Sequence, residues 1–168
     1  STDTHKGVIY LDPTDLTKEC NASNSVSTTE TKTGCMKWYI YDDSGTSYKL
    51  LLDHNTTSGV EWNSSGNNAN GMNEATTSLS SDIVTWNNIL IPRLITAEEV
   101  AKIILKEEEF DSHTTNSDYY FDLNSNFAWL WNHTDDNYGY WTSTPVYNFS
   151  GDAFCVTPET FTSSSISD

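Results

Sequence analysis

Cys20 and Cys35 bracket Asn21–Gly34, a stretch made almost wholly of small and polar residues. Such a segment buries too little apolar surface to offset the entropy of ordering it. A cross-link between its ends would hold it, stabilising the fold by roughly 3 kcal/mol for a loop of this length. No Cys-x-x-Cys and no Cys/His zinc spacing competes with that reading. The pair therefore reads as a disulfide, which needs an oxidising compartment. Cys155 is left over, and its plain reading is a buried free thiol.

Around this loop the chain alternates clear signals with polar connectors. Gly7–Asp12 reads as a strand stopped by Pro13. Met36–Tyr41 reads as a strand with Trp38 and Ile40 on one face and Tyr39 and Tyr41 on the other. Asp42-Asp43-Ser44-Gly45 is turn chemistry, and Ser47–Leu52 returns as the second arm of a hairpin. Met72, Ala75, Leu79 and Ile83 fall at helical spacing and predict a helix over Asn73–Val84. Thr96-Ala97-Glu98-Glu99 is a capping box, with Val100, Ile103 and Ile104 as the buried stripe behind it. Glu107-Glu108-Glu109 reads as a solvated helix end. Later, Tyr119–Leu123, Asn126–Trp131, Tyr138–Pro145 and Ala153–Val156 read as short strands. Residues 1–159 form one domain, and Thr160–Asp168 is expected as a flexible tail. The order is α+β: antiparallel strands, two grouped helices and long irregular loops, with no βαβ alternation.

Composition narrows the function. Six Trp, nine Tyr and six Phe supply the core that the scarce aliphatic runs do not. A net charge of −16 repels phosphate backbones, so no nucleic-acid partner is expected. Nothing in the sequence spans a membrane, leaving attachment to an anchor outside it. No Gly-x-Ser-x-Gly occurs, no Gly-rich loop opens a helix, and His5, His54, His113 and His133 lie in polar segments expected to be exposed. No catalytic residue is assigned. Asn132, Asp135 and Asp136 bring oxygen ligands together that can hold Ca²⁺, although a hydrated loop is the plainer reading and no other cofactor is expected.

The last third carries Trp129, Trp131, Tyr138, Tyr140, Trp141, Tyr147, Phe149 and Phe154. Trp129 and Trp141 are assigned to the core. Aromatic rings beside Asn and Asp also suit sugar or protein recognition. The candidate ligand-binding set is Tyr138, Tyr140, Tyr147, Asn148, Phe149 and Asp152.

Two stretches resemble a known family. Pro92-Arg93-Leu94-Ile95-Thr96-Ala97-Glu98-Glu99-Val100 is similar to the helix-start motif of C-type-lectin-fold domains in the formylglycine-generating-enzyme branch, with Ile95 for the usual Pro and Val100 for the usual aromatic. Gly139-Tyr140-Trp141-Thr142-Ser143-Thr144-Pro145 resembles the Tyr-Trp-Ser-Ser strand of the same fold. Gly7–Pro13, Cys20–Ser25, Gly34–Tyr39 and Leu52–Thr57 resemble surface proteins of Gram-positive gut bacteria, where such a domain often follows a pilin-like helix. The resemblance implies a C-type-lectin-like fold, related to the variable proteins of diversity-generating retroelements, with binding on the late strands and loops, about Tyr138–Thr157. Relatives usually end in a Gly-Val-Arg-Pro-Val-type strand paired with the first strand; here the sequence reaches Ser167-Asp168 without it, so either this is a fragment or another element covers that edge, and an edge left uncovered would invite self-association. Three functions stand. The first is a non-catalytic recognition domain for a glycan or protein, extracellular on a bacterial cell surface. The second is a pilin-like structural subunit. The third is a formylglycine-generating-type enzyme, against which the single late cysteine, Cys155, argues.

Overall fold

β1 (Gly7–Leu11), β2 (Met36–Asp43) and β3 (Tyr48–Leu52) form an antiparallel sheet in the order β1-β2-β3. The structure is a computed structural model describing residues 5–26, 28, 30–57, 59–65, 71–89, 91–112, 118–120, 127–131, 140–145, 152–157 and 160–165. The β2–β3 hairpin forms as the alternation of Met36–Leu52 predicts, but its strand runs through Asp43 and the turn moves to Ser44–Ser47. Gly45 takes φ 81° there, and its amide bonds to Asp43 Oδ1 at 2.8 Å. The left-handed conformation is one that glycine adopts without steric cost. A register shift between Ile40 and Asp42 leaves Tyr41 as an extra residue in β2. Such bulges re-aim side chains.

This sheet is covered on both faces, which is why adjacent Trp38 and Tyr39 are only 4 % and 2 % exposed. On one face Met36 and Trp38 pack with Trp86, joined by Ile9, Leu11, Leu50, Leu52, Ile83 and Ile89. On the other, Tyr39 packs with Ile95, Ala97, Val100, Ala101, Ile104, Trp129 and Leu130. The first cover comes from the segment that follows α1 (Asn73–Asp82), beginning with Ile83 at its C-terminal cap. The second comes from α2 (Ala97–Ile103) and a 3₁₀ turn at Ala128–Trp131. Trp129 is in the core, as expected. Residues 128–131 were expected within a strand. They form the 3₁₀ turn instead, which lets Trp129 and Leu130 both point into one cluster.

α2 starts with the predicted box: Thr96 Oγ1 accepts from the Glu99 amide at 3.1 Å, and Glu99 Oε2 accepts from the Thr96 amide at 3.0 Å. It ends in a Schellman motif, with Lys106 N bonded to Ala101 O at 2.8 Å and Leu105 N to Lys102 O at 3.2 Å. Leu105, at φ 60°, fills the position where glycine is usual. Glu107, Glu108 and Glu109 are exposed beyond it.

A second antiparallel sheet has the order β4-β7-β6-β5, from β4 (Asp118–Tyr120), β5 (Tyr140–Pro145), β6 (Asp152–Thr157) and β7 (Thr160–Ser165). Residues 160–165 were expected in a tail; they are β7, paired with β6 on one side and β4 on the other. The Thr and Phe of Thr160-Phe161-Thr162 suit a strand, and Thr157 pairs with Thr160 to close a tight hairpin. Among the described residues no helix is long and apolar enough to cross a membrane.

Candidate functional site

The start of α2 and the strand β5 meet in space. Ser143 N donates to Ile95 O at 2.9 Å, and Thr144 Oγ1 accepts the Ala97 amide at 2.9 Å. Thr144 Oγ1 also donates to Glu98 Oε2 at 2.9 Å. One strand residue earlier, the carbonyl of fully buried Thr142 accepts Trp62 Nε1 at 3.2 Å. β5 is thus fixed to the body of the protein just before its C-terminal end at Pro145.

Behind this joint lies a charged cluster. Arg93 grips Glu99 with two nitrogens, at 2.8 and 2.7 Å, and Lys49 Nζ reaches Glu99 Oε1 at 2.9 Å. Burial pushes the Glu99 carboxyl up, but the bonds from Arg93, Lys49 and the Thr96 amide outweigh it and hold the group at about 2. Burial, with the Glu99 charge beside it, pushes the Tyr41 hydroxyl to about 12. The cluster links β2, β3 and the start of α2, which is how it keeps the platform beneath β5 in place.

A second polar cluster sits on the same face of the first sheet. Lys37 Nζ lies 3.1 Å from Tyr39 Oη and 4.8 Å from the Tyr39 ring centroid. His5 stacks against Tyr39 and Trp129, with centroids 5.2 and 5.8 Å away. Burial lowers the Lys37 ammonium, yet the Tyr39 hydroxyl and the Asp53 charge outweigh it, and the net direction is up. Asp53 and His54 are both buried. Asp53 Oδ1, His54 Nδ1 and Trp38 Nε1 have no hydrogen-bond partner among the described residues. His54 was expected to be exposed. It is buried because its Nε2 bonds to Thr31 O at 2.9 Å across the disulfide loop.

The predicted site residues fall as follows. Cys20 and Cys35 form the expected disulfide, with Cα atoms 5.4 Å apart. Tyr140 opens β5 and Asp152 opens β6. The register pairs Tyr140 with Val156 and Pro145 with Ala153. Tyr140 and Asp152 therefore stand at opposite ends of the hairpin, about 13 Å apart along the strands. Tyr147, Asn148 and Phe149 belong to the connection between β5 and β6 and, like Tyr138, lie outside the described residues. So do Asn132, Asp135 and Asp136. Cys155 lies on β6, opposite Trp141 and Thr162. Among the described residues no group of three or more His, Cys, Asp or Glu side chains is placed to hold a metal ion. The sequence reading missed the buried Asp53–His54 pair because its burial depends on a carbonyl far away in the chain. The apolar run Leu50–Leu52 just before it was the one available hint.

Comparison with protein-family models, with curated proteins and with solved structures finds no match for this chain.

Proposed function

We propose that this chain is an exported, non-catalytic recognition domain with a C-type-lectin-like fold, binding a glycan or protein through the segments that flank β5 and β6. The observation that carries this reading is the fixing of β5 through Ser143 and Thr144 to Ile95, Ala97 and Glu98. A strand held rigidly at this point is a suitable base for the connection that carries Tyr147, Asn148 and Phe149, since binding loops work best on rigid scaffolds. The meeting of the α2 start with β5 also supports the lectin-like reading, because these are the two stretches with the shared resemblance. The Cys20–Cys35 bond supports an extracellular setting, here a bacterial surface. The charge of −16 turns polyanionic ligands away.

A glycan and protein array with the intact domain tests the reading. Binding is expected, and Tyr147→Ala with Phe149→Ala should weaken it by more than tenfold, a loss of about 1.4 kcal/mol or more, while the unfolding midpoint holds. An array with no ligand, or a ligand indifferent to both substitutions, counts against it.

A second reading, a pilin-like structural subunit, is favoured by one observation. Among the described residues no strand pairs with the outer edge of β1, and open edges invite another chain. Self-association in light scattering would support this reading. A strict monomer at high concentration would remove it.

A further inference from the structure

The disulfide loop is tied at its ends by Cys20–Cys35 and in its middle by bonds at Glu30, Thr31 and Lys32. From the segment after β3, His54 Nε2 meets Thr31 O at 2.9 Å, and Asn55 O accepts the Glu30 amide at 3.0 Å. From the end of α1 and beyond, Trp86 Nε1 donates to Lys32 O at 2.7 Å and Asp82 Oδ1 pairs with Lys32 Nζ at 2.6 Å. Thr57 Oγ1 donates to the other Asp82 oxygen at 2.7 Å. Glu30 is held in this clamp at φ 74°, a conformation that costs a non-glycine residue about 1 kcal/mol or more.

We propose that the Glu30–Gly34 arm of this loop is a tethered cover, latched over Trp86 by neutral His54 and released when His54 takes up a proton. A carbonyl only accepts, so Nε2 carries the hydrogen and Nδ1 is bare. A second proton must go to Nδ1, which is buried and has no partner among the described residues. Charging a buried imidazole there is unfavourable unless the ring reaches water, and the loop that carries Thr31 is what must move.

The charged groups nearby do not cancel this cost. Asp53, the chain neighbour, favours the proton, but burial outweighs both it and the Thr31 bond and holds His54 below its ordinary 6.5. Lys37, opposite Asp53, bonds to Tyr39 and is already held charged in part by the Asp53 carboxylate nearby. Lys32 and Asp82 neutralise each other, and Glu30 is exposed. Burial raises the Asp82 carboxyl, but Lys32 and Thr57 outweigh it and keep the group ionised to lower pH than usual. Release therefore belongs to His54 and not to the carboxylate. The docked loop is most stable above pH 6.5 and loses stability as pH falls below it, because the undocked state binds one more proton. The disulfide keeps the ends in place, so the change is local. It uncovers Trp86, whose ring stacks edge-on against Trp38 with centroids 5.5 Å apart.

Hydrogen-exchange mass spectrometry on the peptide spanning 28–35, disulfide intact, tests the latch between pH 7.5 and 5. After correction for intrinsic exchange, opening should increase with acid by up to about tenfold per pH unit, the limit for one proton. In His54→Gln, whose amide can still donate to Thr31 O, the profile should be flat. A wild-type loop whose protection is unchanged over this range overturns the proposal, as does a parallel acid response in His54→Gln. NMR titration of the wild-type His54 ring is a second arm that does not need the variant. A ring that protonates while the Glu30 amide and the Trp86 indole signal stay fixed also overturns it.

Discussion

Thr144 Oγ1 on β5 accepts the Ala97 amide of α2 at 2.9 Å and so occupies one of the donors that every helix leaves open at its first turn. The same oxygen donates to Glu98. One hydroxyl thereby joins the second sheet to the helix that covers the first. Thr144→Val keeps the shape and removes both bonds. It should cost about 1–2 kcal/mol in urea unfolding, whereas Thr144→Ser, which keeps the hydroxyl, should recover most of that loss.

Glu99 makes the acid side of the stability curve predictable. Its carboxyl is held at about 2 in the folded chain, against an ordinary 4.5. A depressed carboxylate contributes stability that is fully present above 4.5 and is lost as pH falls towards 2. Allowing for solvent screening at this half-exposed cluster, the contribution is about 1–2 kcal/mol. Glu99→Gln should lower stability at pH 7 by about that amount and flatten the loss between pH 4.5 and 2, both read from denaturant midpoints across pH.

These two clusters mark what could be read in advance. The capping box at Thr96 and Glu99 was legible because all its partners lie within one turn of chain. The β2–β3 hairpin was legible because its period and its turn are local. The bidentate Arg93 and the distant Lys49 on Glu99 were not, since nothing in Lys49's own neighbourhood points to residue 99. The strand Thr160–Ser165 was hidden for a related reason. Its Ser and Thr look like a tail alone, and only pairing with β6 and β4 makes them a strand. Of the candidate binding set, the sequence put Tyr140 on a strand and left Asp152 just outside one; that Asp152 opens β6, at the opposite end of the hairpin from Tyr140, needs the pairing partner.

The disulfide gives a prediction that separates loop from core. Cys20 and Cys35 are 15 residues apart, and opening a loop of that size should cost roughly 3 kcal/mol. Cys20→Ser with Cys35→Ser should lower the unfolding midpoint accordingly. Reductant should add two hydrogens to the intact mass of the wild type and none to the variant. A wild-type mass unchanged by reductant under denaturing conditions would show that the bond had not formed.

Leu105 offers a stabilising change, because its backbone and its side chain make opposite demands. At φ 60° it closes the Schellman motif after α2, where a Cβ is strained by about 1–2 kcal/mol. Its side chain recovers little of that, being 77 % exposed. Glycine removes the strain but makes the unfolded chain more flexible, a loss of about 0.4–1 kcal/mol. The balance favours glycine by about 0.5–1 kcal/mol, so Leu105→Gly should raise the denaturant midpoint without changing its slope. Leu105→Ala keeps the Cβ and therefore the strain, and should give no such gain. If both variants are stabilised equally, the benefit comes from losing an exposed apolar side chain and not from the backbone.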